Sequence, residues 1–422
     1  MIHSEVVCPF CGLLCDDLDV ETRGPDVEVK ANGCELSRRR FTEANVEWPG
    51  VKVGGRACSI DEATQRAGEL LHAAAQPVMY GLATDLAGAR AVLSLARRAG
   101  AIVDHANGAA LQRNLSVTQH SGGFVTTLSE VRNRADLIVL MGTGSLARFP
   151  RLVERVFAPT QALVPERRAA RECIAFGNDA DIETHGASSW SVIACESAAL
   201  GEVAMALRAL VQSVELDAPR AGGIPMAQLR DVAERLAGAH YAVLVWSAAE
   251  LEHEHAELSV EAFAELVRAL NLNGRAASLP LGGTQGDVGM NQVCAWQSGW
   301  PLRVGFAQGV PDYDPHLNDV QRLVRDGEAD CCLWLSSFAA EGQPPAGPAP
   351  LIALAHPGAR FDVEPAVHIP VAIPGVDNAG LVQRSDGVVT LPLSRLREPR
   401  GPGAAKVLSS IEAALVRLDN GA

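Results

Sequence analysis

From about residue 56 the chain alternates short apolar runs with longer segments in which apolar positions recur every three or four residues. PVMYGLA (77–83) is a continuous apolar run of strand length and predicts a strand buried on both faces. AGARAVLSLARRAG (87–100) carries its apolar residues on one helical face, and AIVDHA (101–106) predicts the next strand. ADLIVLMGTG (135–144) predicts a further strand that ends in a glycine turn. Strands that alternate with helices imply βαβ units and a parallel sheet covered on both faces.

The same order recurs in the second half. YAVLVWSA (241–248) stands where the first strand stood, VEAFAELVRALNLNG (260–274) takes the place of the helix, and RAASLPL (275–281) follows. ADCCLWLSSF (329–338) then occupies the place of ADLIVLMGTG, and the lead-ins VRNRAD and VRDGEAD look alike. Weak self-similarity at this long period predicts two related, Rossmann-like α/β lobes rather than a solenoid. Open parallel sheets bind ligands beyond the carboxyl ends of their strands. GTGS (142–145), LSSF (335–338) and LGGTQGDVG (281–289) are therefore expected to line a crevice between the lobes.

The first 55 residues follow a different pattern. DLDVE (17–21) and DVEVK (26–30) alternate polar and apolar residues around TRGP, a β-hairpin signal. The expected organisation is a four-cysteine domain over 1–55, a first α/β lobe over 56–215 and a second over 216–395. EGQPPAGPAP (341–350) reads as a surface loop. Residues 396–422 close the chain, with REPRGPGAA leading into the helix VLSSIEAALVRL (407–418).

Composition narrows the function classes. The 422 residues are 48% hydrophobic and 20% charged, which suits a globular chain with a large core. With 36 basic against 50 acidic residues the formal charge is −14, which argues against a general affinity for nucleic acid or anionic membrane. MIHSEVVCPF lacks the basic start and apolar core of a secretory signal, and LIVLM (137–141) is far too short to cross a bilayer. Ten cysteines with one tight cluster suit reduced thiols plus a metal site, not a disulfide scaffold. The chain is accordingly read as a soluble cytoplasmic protein.

That cluster is C-x2-C-x3-C-x18-C: Cys8, Cys11, Cys15 and Cys34. The hairpin between the third and fourth reverses the chain, so Cys34 returns beside the other three. Three close thiolates and one distant one suit the corners of a [4Fe–4S] cube, whereas structural zinc more often takes two C-x2-C pairs. Iron–sulfur, zinc and four free thiols all stay open on spacing alone.

Other clusters carry less. LEHEHAEL places His253 and His255 two apart among Glu252, Glu254 and Glu257, a spacing that does not share a helical face, and predicts a solvated charged segment. FGNDADIETH offers Asp179, Asp181 and Glu183 without the glycine and distant glutamate of a calcium loop. DYDPHLND (312–319) predicts a turn and a helix cap. G-x-G-x-x-G after a strand, G-x-x-x-x-G-K-[ST] and G-x-S-x-G are all missing, so no nucleotide or hydrolase fingerprint names a base or nucleophile.

VCPFCGLLCDDLDVE with GCELSRRRF, then TLSEVRNRADLIVLMGTGSLARFPR, resembles the B subunit of formylmethanofuran dehydrogenase, a molybdopterin or tungstopterin oxidoreductase. MNQVCAWQSGWPLRVGFAQGVPDYDP (290–315) and AGLVQRSDGVVTLPL (379–393) extend the likeness over nearly the whole chain. The resemblance implies a molybdopterin oxidoreductase-like fold and a [4Fe–4S] cluster on Cys8, Cys11, Cys15 and Cys34. It also implies a basic side chain between cluster and pterin, for which Arg38, Arg39 and Arg40 are the candidates, and lobes that hold the two pterin dinucleotides.

One departure decides the functional expectation. Redox-active relatives bind the metal through a Cys or selenocysteine in a Cys-His-Gly-type segment some way before EVRNRAD. Here no cysteine occurs between Cys58 and Cys173, and an ungapped count places Ala110 and Leu111 where the Cys-His pair belongs. A methyl group cannot donate to a soft metal. The resemblance thus implies a chain without molybdenum or tungsten pterin, as in the bacterial formyltransferase/hydrolase complex. That assembly moves a formyl group from tetrahydromethanopterin to a methanofuran-type carrier and hydrolyses it to formate. The hydrolase, formyltransferase and accessory subunits would be the partners and this chain a structural one. The alternative is a redox-active tungsten or molybdenum subunit with an unusual metal ligand.

Overall fold

Seven consecutive buried residues, Pro77–Ala83, form a strand at the centre of a nine-stranded sheet. The computed structural model describes residues 1–169, 171–178, 190–282 and 284–421. Its chain divides into two compact units, Met1–Gly108 with Gly283–Ala422, and Ala109–Gly282.

In the first unit, Pro77–Ala83 pairs in parallel with Cys331–Ser336, which pairs with Leu351–Ala355 and then Val367–Pro370. Ile102–Val103 extends the parallel part on the other side, and short antiparallel strands finish both edges. The helix Leu86–Ala99 starts where Asp85 accepts the Gly88 N–H at 2.9 Å and stops at Gly100, whose left-handed φ of 67° needs no side chain. Its apolar stripe of Val92, Leu93, Leu95 and Ala96 is buried, each large side chain contributing about 2 kcal/mol by leaving water. Ile60–Ala73 and the closing helix Ala404–Asp419 complete that layer.

The amino-terminal segment belongs to this unit. Leu18–Arg23 and Asp26–Ala31 pair across Gly24 and Pro25 as the alternation predicts, and Ile2–Val6 adds a third antiparallel strand. Arg397, paired with the buried Asp377, donates to the carbonyls of Pro25 and Ala44 and so ties this segment to the carboxyl-terminal part of the unit.

The second unit holds a five-stranded, wholly parallel sheet in the order Ser191–Ala194, Glu172–Gly177, Leu137–Met141, Ala242–Trp246, Ala276–Pro280. Leu200–Val211, Met226–Gly238 and Ala256–Leu270 bury apolar stripes in one core cluster around Leu244, Phe263 and Leu266.

The units therefore divide the chain differently from the consecutive segments drawn from the sequence. Strands that correspond in the two halves lie in different sheets: 77–83 pairs with 331–336, and 137–141 pairs with 242–246. Apolar periodicity reports that a strand is buried, not which neighbour it finds.

Candidate functional site

Cys8, Cys11 and Cys15 lie on the loop between Ile2–Val6 and Leu18–Arg23, and Cys34 caps the helix Glu35–Glu43. The Cys8 N–H donates to the Cys15 carbonyl at 2.8 Å and the Leu14 N–H to the Cys11 carbonyl at 3.2 Å, so the loop closes on itself. Cys34 Sγ accepts the Ser37 N–H at 3.4 Å. Burial pushes the Cys8 thiol well above its ordinary range, and Cys11, Cys15 and Cys34 push the same way. Burial raises Cys11 to about 12, again with help from Cys15 and Cys34. The structure thus gathers the four into one electrostatic neighbourhood, with Cys8 and Cys11 protonated at neutral pH. Among the described residues, however, no group of three His, Cys, Asp or Glu side chains is disposed to hold a metal ion. The donor set is one that iron or zinc takes.

Of the three arginines that follow, Arg39 and Arg40 share Glu341 while Arg38 turns to the backbone. Arg38 donates to the Val29 carbonyl at 2.9 Å, Arg39 lies 3.5 Å from Glu341, and the buried Arg40 is clasped by Glu43 at 2.7 Å and Glu341 at 2.8 Å.

The carboxyl ends of the first unit's parallel strands collect a polar cluster. Both the N–H and Oγ of Ser337 donate to the Ala83 carbonyl, at 2.8 and 2.7 Å. Gly286, at a left-handed φ of 80°, packs so closely on Thr84 that a Cβ there would stand 2.4 Å from the Thr84 carbonyl oxygen. LSSF and the 284–289 segment therefore lie together at this edge, whereas GTGS belongs to the second unit.

The AIVDHA strand ends at Val103, and the Asp104 and Ala106 N–H groups beyond it still donate to the Met79 and Gly81 carbonyls, at 3.1 and 3.2 Å. Burial lifts the Asp104 carboxyl to about 7, against the opposing pull of Arg303 at 3.3 Å. Burial drives His105 down to about 4, so its imidazole is neutral; Nδ1 accepts the Asn107 N–H at 2.9 Å, while Nε2 makes no well-formed hydrogen bond. Asn107 Nδ2 donates to Thr284 Oγ1 at 2.6 Å and to Asp287 at 3.0 Å. Thr284 and Asp287 fall in the LGGTQGDVG segment that the sequence singles out; for Asp104, His105 and Asn107 an apolar strand broken by DHAN is the signal.

In the second unit the strand Leu137–Met141 leads into the Gly142–Ser145 turn. The Glu250 carboxylate fills it, accepting the N–H groups of Gly144 at 2.6 Å and Ser145 at 3.1 Å. A Cβ on Gly142 would lie 2.7 Å from the Glu250 carboxylate, so glycine is required for that approach. Turns of this kind hold phosphates in open α/β sheets. A dinucleotide phosphate does not fit this one, because the donors are taken and the resident charge is negative.

The segment that would carry the metal-binding cysteine becomes the first turn of the helix Gly108–Ser121. Ala110 is half-buried against the second unit's apolar core, and Arg113 donates to the Ala248 carbonyl at 2.7 Å. LEHEHAEL runs into the first turn of the helix Ala256–Leu270; Glu252, Glu254 and His255 are exposed as expected, while His253 and Glu257 are half-buried. Asp314 and Asp319 make the turn and the helix cap predicted for DYDPHLND. Asp179, Asp181 and Glu183 lie outside the described residues.

Comparison with known proteins follows the same lines. No family model matches the sequence. The B subunit of the formyltransferase/hydrolase complex Fhc of Methylorubrum extorquens is 30% identical over 292 residues, covering 68% of this chain and 75% of that protein. The chain belongs to the family of formylmethanofuran dehydrogenase B subunits. A second member, the B subunit of tungsten-containing formylmethanofuran dehydrogenase 2 of Methanocaldococcus jannaschii, is 26% identical over 401 residues, 92% of each chain. Among solved structures, a chain of the Methylorubrum extorquens formyltransferase/hydrolase complex FhcABCD, crystallised with methylofuran, superposes with a TM-score of 0.76 at 28% identity. It is covered completely and covers 88% of this chain. Acetylene hydratase from Pelobacter acetylenicus superposes with a TM-score of 0.67 at 10% identity, covering 99% of this chain and 70% of its own, which shows the fold alone. The expected molybdopterin oxidoreductase-like fold is thereby shown. No helix among the described residues is long and apolar enough to cross a membrane.

Proposed function

We propose that this chain is the non-catalytic B-type subunit of a formyltransferase/hydrolase complex in one-carbon metabolism. It works beside hydrolase, formyltransferase and accessory subunits that convert formyl-tetrahydromethanopterin to formate through a methanofuran-type carrier. The observation that carries this reading is Ala110. An ungapped count puts it where redox relatives place a metal-binding Cys, and its methyl group packs against apolar residues and offers no donor. The Glu250-filled turn supports the same reading, since it presents a carboxylate where a pterin dinucleotide would bring a phosphate. A fold of this size can lose its chemistry and keep its stability, because the core is separable from the site.

The competing reading is a redox-active tungsten or molybdenum subunit with an unusual ligand, favoured by the nearly full-length match to the Methanocaldococcus protein. Pull-down of the tagged chain from its own host distinguishes the two. The proposal expects hydrolase and formyltransferase subunits to co-purify, with formyl transfer and hydrolysis but no dye-linked formyl oxidation. Recovery of an oxidising complex overturns it.

A further inference from the structure

We propose that the groove between the helices Leu200–Val211 and Ala256–Leu270 seats a basic amphipathic helix of a partner subunit, an assignment that rests on the reading of the chain as a member of that complex. Both helices bury one face in the second unit's core, and they pack so closely that a Cβ on Gly201 would stand 2.7 Å from Ser259 Oγ. Their outer faces leave a groove of about 570 Å³. Glu202, Met205 and Arg208 line it from one helix, and Leu258, Glu261 and Glu265 from the other. Spacings of three and four residues put each trio on a single helical face, so the lining residues share one surface.

Part of that surface is apolar and bare. Met205 is 46% exposed and Leu258 58%, whereas Val203 and Phe263 on the same two helices are fully buried. One bared apolar side chain on a surface is ordinary, but two lining one groove form the apolar centre that an interface needs. A groove between two packed helices takes the ridge of a third. Leu258 to Glu265 spans about two turns, so the incoming helix offers apolar residues three or four positions apart.

Charge selects the occupant. Glu254 joins Glu202, Glu261 and Glu265 in the lining, against the single Arg208. Arg208 is already paired with Glu265 at 3.3 Å, whereas Glu202 and Glu261 meet no basic side chain among the described residues. A second copy of this chain docked here about a two-fold axis brings the same four glutamates and so repels. Lysines or arginines flanking the apolar positions of a partner's helix supply the missing charge.

The test uses the co-expressed complex, with this chain tagged, diluted serially at low and high salt and followed by mass photometry. Leu258→Asp, and Glu202→Lys combined with Glu261→Lys, are each expected to raise the concentration at which a partner subunit dissociates by about 10-fold or more. Leu258→Met should raise it by less than about 3-fold. In the wild type that concentration climbs with salt, and the double reversal removes most of the climb. Glu202→Lys alone, at an exposed position, gives the same direction should the double variant fail to fold. Wild-type dissociation behaviour in the soluble variants overturns the proposal. So does a response to Leu258→Asp without one to the charge reversal, which would assign the groove to a segment that is not basic. A loss of self-association with all partners retained overturns it as well, in favour of a second copy of this chain. A wild-type chain that brings down no partner subunit overturns the proposed function itself and is read before any variant.

Discussion

Asp136 and Asp330 do the same job in two different sheets. Each precedes a parallel strand and uses its carboxylate to hold the start of the neighbouring strand. Asp136 accepts the N–H groups of His240 and Tyr241 at 3.0 and 2.7 Å, and Asp330 those of Ala75 and Gln76 at 2.7 and 2.9 Å. Replacing either by Ala is expected to cost about 1–2 kcal/mol in urea unfolding, the worth of two charge-assisted bonds near the surface. Asn, which keeps one acceptor, should recover about half.

Glu250 closes the Gly142–Ser145 turn from far along the chain. Glu250→Ala removes the acceptor for both N–H groups and is expected to lower stability by about 2 kcal/mol, with Glu250→Gln nearer 1. Chemical denaturation at neutral pH measures the difference.

Asp377 is fully buried and pairs with Arg397 at 2.7 Å. Asp377→Ala strands a buried guanidinium and should cost about 3–5 kcal/mol. Because Arg397 also donates to the Pro25 and Ala44 carbonyls, limited proteolysis of this variant should cut first near the amino-terminal hairpin.

Three buried groups set opposing pH slopes. His105 and His356 are held near 4 by burial, against an ordinary 6.5, so stability drains away as pH falls from about 6.5 to about 4. Asp104, raised by burial from 3.8 to about 7, works the other way: the folded chain keeps its proton while the unfolded chain releases it, so its contribution declines as pH rises through that window. Two groups outweigh one. The net effect of the three is loss on acidification, with a slope of about 1.4 kcal/mol per pH unit. Asp104→Asn should steepen the slope and His356→Gln flatten it, in urea midpoints taken between about pH 4.5 and 6.5.

These relationships mark what the sequence could and could not say. The likeness of VRNRAD to VRDGEAD was visible and has a physical meaning, since the shared Asp does one task twice. The buried strands 77–83, 137–141 and 331–336 were legible because unbroken apolar runs of that length have few alternatives. The gathering of the four cysteines followed from the hairpin between them. How their side chains are disposed did not, because spacing sets which residues can approach and packing sets how they point. Glu250 was invisible, for it meets Gly144 across 106 residues and nothing local marks either partner. The strand Ile2–Val6 was missed because IHSEV mixes polar and apolar residues without clean alternation.

A chain without redox chemistry offers carbon instead of sulfur at position 110. Metal analysis of the intact complex, purified from its own host and counted per copy of this chain, tests it most directly. Tungsten and molybdenum are expected far below one atom per chain, in material that still transfers and hydrolyses formyl groups. One tungsten or molybdenum atom per chain, with formyl-dependent dye reduction, would contradict it.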